Sequence, residues 1–290
     1  MTESNVYLEH WSLKNHPFVA RPDSRFLYLT TKHEHALAAL SFAACEGGEP
    51  VLLRGPAGCG KTILLRALRR QLPRETYHVA FVPETSCART DLLPRVAYHL
   101  THKIVTNPTD AMTTIGEFTH EAGENGRAIV LMFDNWPAAA EPRMLEELRW
   151  LLGLDIEQDC RVDVLIAGED IRPRKHWPAW LVQRLFTTVQ VGPLENNEIS
   201  LYLAHRLRCA ADAPADSTQY DEVFSSGAAT EIAGWSRGVP RLVNRAAHLS
   251  LRSAYLEKAK QVTQAHVNNA IERLDQNPHE SSVESAERQT

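Results

Sequence analysis

The sequence predicts a three-layer α/β domain around a five-stranded parallel sheet, followed by a smaller all-helical domain. Three observations carry this expectation. Five short apolar or alternating runs, separated by helical patterns, occupy the chain up to Val191. One of them, Arg127–Phe133 (Arg-Ala-Ile-Val-Leu-Met-Phe), is almost unbroken apolar, as a parallel strand covered on both faces must be. From Pro193 onward the strand signal disappears and helical periodicity alone remains.

Taken in order, an N-terminal segment with Trp11, Phe18, Phe26 and Tyr28 leads into a helix around His35–Cys45. His33 and His35, two apart, lack ligand spacing and read as a solvated helix start. Pro50–Arg54 is the first strand, and Lys61–Leu72 the helix after it, with Ile63, Leu64, Ala67 and Leu68 at helical spacing. Tyr77–Val82 alternates and is the second strand. Helices near Asp91–Lys103 and Met112–Ala122 precede the apolar third strand. Glu141–Gly153 carries Met144, Leu145, Leu148, Leu151 and Leu152 on one face, an amphipathic helix. Val162–Ala167 and Phe186–Val191 complete the sheet. Glu198–Cys209, Gly227–Ser236, Pro240–Glu257 and Thr263–Leu274 read as the helices of the second domain, with Thr263 as an N-cap and Pro240 in a first turn.

Between the first strand and its helix stands Gly55-Pro56-Ala57-Gly58-Cys59-Gly60-Lys61-Thr62, a complete phosphate-binding loop. Its glycines let consecutive backbone N–H groups turn toward phosphate oxygens, and the helix N-terminus adds partial positive charge. Lys61 is expected to reach the β- and γ-phosphates, and Thr62 to place its hydroxyl on Mg²⁺. Such a loop needs a carboxylate to hold the metal, and Asp134, directly after the apolar strand, is placed for it. In open α/β sheets the ligand crevice lies off the carboxyl ends of the strands. A nucleoside triphosphate with Mg²⁺ is therefore the expected ligand, and the family resemblance below implies ATP. Cys59, at a helix N-terminus beside Lys61, is expected to have a lowered thiol pKa, although a small residue that merely fits would serve as well.

Bulk properties narrow the class. With 43% hydrophobic and 23% charged residues among 290, the chain has the composition of a soluble globular protein. No stretch is apolar for the length of a membrane span, and Met1–Asn5 begins nothing like a signal peptide, so a cytoplasmic location is expected. Five scattered cysteines without a CxxC favour free thiols over a metal cage. A net charge of −5 argues against bulk electrostatic attachment to nucleic acid.

The chain resembles the AAA+ ATPases of the ExeA/GspA type and, more distantly, transposition ATPases of the TniB/TnsC kind, over about Tyr7–Leu274. Tyr7-Leu8-Glu9-His10-Trp11, Pro17-Phe18, Pro22-Asp23 and Phe26–Leu29 look like that family's start. Leu145-Glu146-Glu147-Leu148-Arg149 and Gly192-Pro193-Leu194 are similar to its later helix and its lead into a helical lid. Ser236–Asn244 (Ser-Arg-Gly-Val-Pro-Arg-Leu-Val-Asn) resembles its sensor 2 motif. The resemblance implies a sheet of order 5-1-4-3-2, a lid, and work as a homo-oligomer. It further implies Arg241 as the sensor 2 arginine and Arg184 as an arginine finger for a neighbouring subunit. The domains are then expected at 1–193 for the nucleotide-binding core with its N-terminal segment, 194–275 for the lid, and 276–290 for a disordered polar tail.

Two positions depart from the family. Where relatives follow the metal-binding Asp with Glu, this chain has Asn135, which can orient water but accepts no proton. Where relatives often have Gly-Gln, it has Gly168-Glu169. Either the carboxylate has moved to Glu169, or the site hydrolyses slowly or only with a partner. Glu84, ending the second strand, is a third candidate base, read more readily as a loop or N-cap residue. The expected function is an oligomeric ATPase that remodels or positions an unidentified protein partner. A DNA-associated transposition-type ATPase and a non-hydrolysing switch are the alternatives. For DNA stands the basic stretch Arg172, Arg174, Lys175, His176 and Arg184, which also reads as a solvated loop or subunit contact.

Overall fold

A computed structural model describes residues 3–19, 23–47, 50–83, 91–154, 160–169, 171, 177–184 and 187–276. The expected tail at 277–290, Glu84, and the basic residues Arg172, Arg174, Lys175 and His176 lie outside the described residues.

The chain forms two compact units, one of Thr31–Val191 and one of Met1–Thr30 with Gly192–Thr290. The first begins with α2 (Thr31–Glu46), α1 being Glu3–His10 of the other unit. It continues through β1 (Val51–Arg54), α3 (Lys61–Gln71), β2 (Tyr77–Val82), α4 (Leu92–Thr101) and α5 (Pro108–Glu124). Then come β3 (Ala128–Trp136), α6 (Pro142–Leu151), β4 (Val162–Gly168), α7 (Ala179–Arg184) and β5 (Thr187–Gln190). The sheet is parallel throughout, in the order β2-β3-β4-β1-β5, the order that the resemblance implies. Parallel strands must be joined by crossovers, and the helices between them supply these. β3 is buried along its length except at Asn135, and β4 is buried throughout, so the centre of the sheet is covered on both faces.

Local chemistry sets the element ends. Asn107 caps α5 by accepting from Asp110 N at 2.8 Å, with Pro108 in the first turn. Glu147 of α6 lies buried and accepts from Leu92 N (2.6 Å) and Leu93 N (3.2 Å), capping the N-terminus of α4 from a neighbouring helix.

The second unit holds α8 (Glu198–Ala211), α9 (Ser226–Ser236), α10 (Pro240–Leu256) and α11 (Gln264–Gln276). Thr263 N donates to His266 Nδ1 at 2.9 Å, the reciprocal arm of a capping box with His in place of Glu, before α11. Leu194 N donates to Gly238 O at 2.9 Å, which joins the two motifs that resemble the lid's lead-in and sensor 2. The N-terminal segment packs in this unit: Tyr7, Trp11, Leu13, Phe18 and Phe26 share a core with Leu203, Ile232 and Val243. The sequence grouped that segment with the nucleotide-binding core. Its aromatic residues instead find apolar partners on the C-terminal helices.

Arg206 of α8 secures that packing. It is 5% exposed, donates from Nε to Pro17 O at 2.7 Å, and lies over the Phe26 ring at 4.6 Å. Desolvation holds the guanidinium below its usual pKa, with no carboxylate bonded to it among the described residues. Arg206→Ala leaves the Pro17 carbonyl unpaired and removes the ring contact, so it should lower stability by about 2–4 kcal/mol. Urea unfolding measures this, and wild-type stability in the variant would contradict the clamp.

Candidate nucleotide site

The phosphate loop leaves β1 at Arg54 and enters α3 at Lys61. Gly58 (φ +78°) and Gly60 (φ +92°) are both left-handed, which a side chain at either position would resist. Lys61 Nζ donates to Gly55 O at 2.7 Å and to Pro56 O at 2.9 Å, so the ammonium lies folded over the first residues of the loop.

Thr62 Oγ1 donates to Asp134 Oδ2 at 2.7 Å. The two residues expected to share a metal, 72 positions apart in sequence, are thus in contact. Cis ligands on an octahedral Mg²⁺ with bonds of about 2.1 Å lie roughly 3 Å apart, so this pair of oxygens suits the ion. Hydroxyl, carboxylate and phosphate oxygens form a hard donor set of the kind Mg²⁺ takes. Among the described residues no group of three or more His, Cys, Asp and Glu side chains forms a metal cage.

Asp134 is 7% exposed, while Asn135 is exposed and left-handed, at φ +54°. Phe133 pairs with Ile166 but Trp136 pairs with Gly168, so β3 carries one residue more than β4 across this interval. That is a β-bulge at Asp134, the position expected to hold the metal, and a bulge bends a strand and re-aims its side chains. Trp136 O closes over the strand end: a Cβ on Gly168 would lie 2.7 Å from it. Asn135 N donates to Asp134 Oδ1 at 3.0 Å, fixing the carboxylate from the second side. Asn adopts the left-handed region far more readily than Glu. Sequence periodicity carries no sign of this bulge.

Glu169 follows β4 and is exposed. Its charge pushes the Cys59 thiol upward, which places its carboxylate near the phosphate loop. Cys59 itself overturns an expectation. It is 0% exposed, and burial raises its pKa more than Lys61 lowers it. Desolvation outweighs the helix terminus and the neighbouring cation. His33 also departs from the expected solvated start: it is 5% exposed, with Nε2 3.5 Å from Cys59 O. A signal was available, since His33 continues the stripe of Leu37, Leu40 and Ala44 along α2.

Arg184, exposed at the end of α7, donates from Nη1 to Leu152 O at 3.0 Å, at the C-terminus of α6. Arg241 is exposed in the first turn of α10, in the other unit.

Comparison with known proteins places this geometry. Residues 45–174 match a family model described as AAA domain. The chain is 26% identical over 270 residues to General secretion pathway protein A of Aeromonas hydrophila. The match covers 91% of this chain and 48% of that protein, so the chain spans about half the length of this relative. Among solved structures, Cdc6p from Pyrobaculum aerophilum superposes with a TM-score of 0.66 at 16% identity, over 87% of this chain and 70% of that one. The Aeropyrum pernix ORC2 protein, solved as ADPNP-ADP complexes, gives 0.63 at 14% identity, over 90% and 72%. Residues 45–174 are thus similar to an AAA domain, the chain is similar to General secretion pathway protein A along most of its length, and it shares its fold with the Cdc6p and ORC2 structures. Among the described residues no helix is long and apolar enough to cross a membrane.

Burial and a raised pKa leave Cys59 little thiolate near neutral pH. Iodoacetamide should therefore modify the exposed Cys45 well before Cys59 in the native protein, as read by peptide mass mapping. Faster labelling of Cys59 would show that the loop opens readily.

Proposed function

We propose that the chain is an oligomeric ATPase that couples ATP binding, and slow or partner-stimulated hydrolysis, to remodelling or positioning a protein partner. The Thr62–Asp134 contact carries this reading, because it unites the phosphate loop with a strand-end carboxylate suited to a metal. Lys61 neutralises phosphate charge, the N-terminus of α3 offers N–H donors, and Thr62 with Asp134 holds Mg²⁺. When bound, the ion supplies Lewis-acid stabilisation of the charge that develops on the phosphates. Arg184 serves a neighbouring subunit's site, as the family resemblance implies.

The left-handed backbone at Asn135 supports slow hydrolysis as a property of the site. An amide there holds a water but takes no proton, which forgoes a base contribution of about 10²–10⁴ in rate. Glu169, close enough to perturb Cys59, is the alternative proton acceptor.

Two measurements test this. Lys61→Ala should abolish Mg²⁺-dependent ATP binding by calorimetry; retained affinity would remove the foundation of the proposal.

For hydrolysis, Asn135→Glu should raise turnover at least about tenfold, since a base gains more than the roughly 1–2 kcal/mol that a left-handed Glu costs. Glu169→Gln should then change little. Loss of turnover in Glu169→Gln, with ATP affinity intact, would instead assign the base to Glu169. Brisk wild-type hydrolysis indifferent to both substitutions would sink both assignments.

A further inference from the structure

His33 sits where no exposed helix start would put it. In the first turn of α2, Thr31, Lys32, Glu34 and His35 are all exposed, and His33 alone is buried. Its ring ends against the phosphate loop: Nε2 lies 3.5 Å from Cys59 O, at the long end for an N–H···O bond. The same atom lies 3.6 Å from the position a Cβ on Gly60 would occupy. The imidazole thus packs against the Cys59–Gly60 peptide. The stripe His33, Leu37, Leu40, Ala44 fixes the ring there, because burying the apolar members of α2 turns position 33 inward with them.

A trans peptide carries its C=O and the following N–H on opposite sides of the chain, and the described chain has no cis peptide. Whatever holds the Cys59 carbonyl therefore also aims the Gly60 N–H. Glycine at position 60, in a left-handed conformation, does not restrain this peptide through a side chain of its own. An external restraint is needed for the N–H to be preorganised.

We infer that His33 is a positioning residue for the phosphate loop: its Nε2–H holds the Cys59 carbonyl outward and thereby turns the Gly60 N–H toward the nucleotide phosphates. This rests on the reading of Gly55–Thr62 as a triphosphate site. The histidine touches no substrate atom, and its effect is confined to the phosphate-dependent part of the affinity. Its Nε2 must carry a proton, so the neutral ring is the Nε2–H tautomer.

The test uses the full chain and calorimetry with Mg²⁺-ATP and with adenosine. His33→Leu fills the space without a donor; His33→Gln offers an amide N–H of similar reach. His33→Leu should weaken ATP binding about tenfold, the worth of a well-placed donor to an anion, with adenosine affinity unchanged. His33→Gln should stay within about threefold of wild type for ATP, as a retained donor requires. Equal ATP affinity in wild type and His33→Leu overturns the inference alone, as does a parallel loss for adenosine. Wild type that binds no ATP overturns both this and the proposed function. Ring ¹⁵N shifts of His33 in the unmodified protein give an answer even if His33→Leu fails to fold. A proton on Nε2 agrees with the inference, and an Nδ1–H tautomer, facing the carbonyl with a lone pair, overturns it.

Discussion

The hydrogen bond between Thr62 and Asp134 is the contact on which the rest of the site depends, and the sheet order dictates how it is made. β4 lies between β1 and β3, so the loop that carries Thr62 leaves a strand two spacings of about 4.8 Å away from the one that carries Asp134. The loop after β1 and the bulge in β3 must therefore meet over the end of β4. That end is Gly168, which contributes no side chain to obstruct them, and the chain leaves it through Glu169. The effect of Glu169 on the Cys59 thiol follows from this crossing: the residue after a central strand emerges beside the loop from the next one.

The bulge changes how the exchanged acid and amide should be understood. On sequence alone, Asn135 is a missing base. In the structure it is also the left-handed residue that lets β3 carry an extra position while Trp136 rejoins the register opposite Gly168. Asn suits that backbone and Glu does not. Glu169, which follows β4, is not among the left-handed residues, so a carboxylate there strains no backbone. Backbone preference thus accounts for the amide at position 135 and permits the acid at position 169.

What the sequence made legible was whatever follows from periodicity and from turn or cap chemistry. Tyr77–Val82 is a strand as expected, Pro240 opens a helix, and the apolar run before Asp134 lies at the centre of the sheet. The loop and its carboxylate were legible because their residue types are tied to a function as well as to a fold. The bulge was not, since one extra residue in a buried run leaves the hydrophobic pattern unbroken. Cys59 misled because local charge suggests an acidic thiol, while complete burial depends on packing that only the tertiary structure contains. The N-terminal aromatics announced a core but not which one. Adjacency in sequence pointed to the α/β domain, and the apolar face that receives them belongs to helices almost two hundred residues away.

Arg184 shows how a side chain anchored to its own fold can meet the demands of the finger role proposed for it. Its bond to Leu152 O neutralises the carbonyl end of α6, the helix that follows β3. A guanidinium has five donors, and this bond engages Nη1 alone, so the group stays exposed while its helix is anchored. A finger offered to another subunit must be held firmly enough to be positioned, yet keep donors for the neighbour's phosphate. The bond to Leu152 meets the first condition and the exposure meets the second. A surface salt bridge would have failed the second, because a carboxylate partner would have neutralised the charge that the finger must deliver.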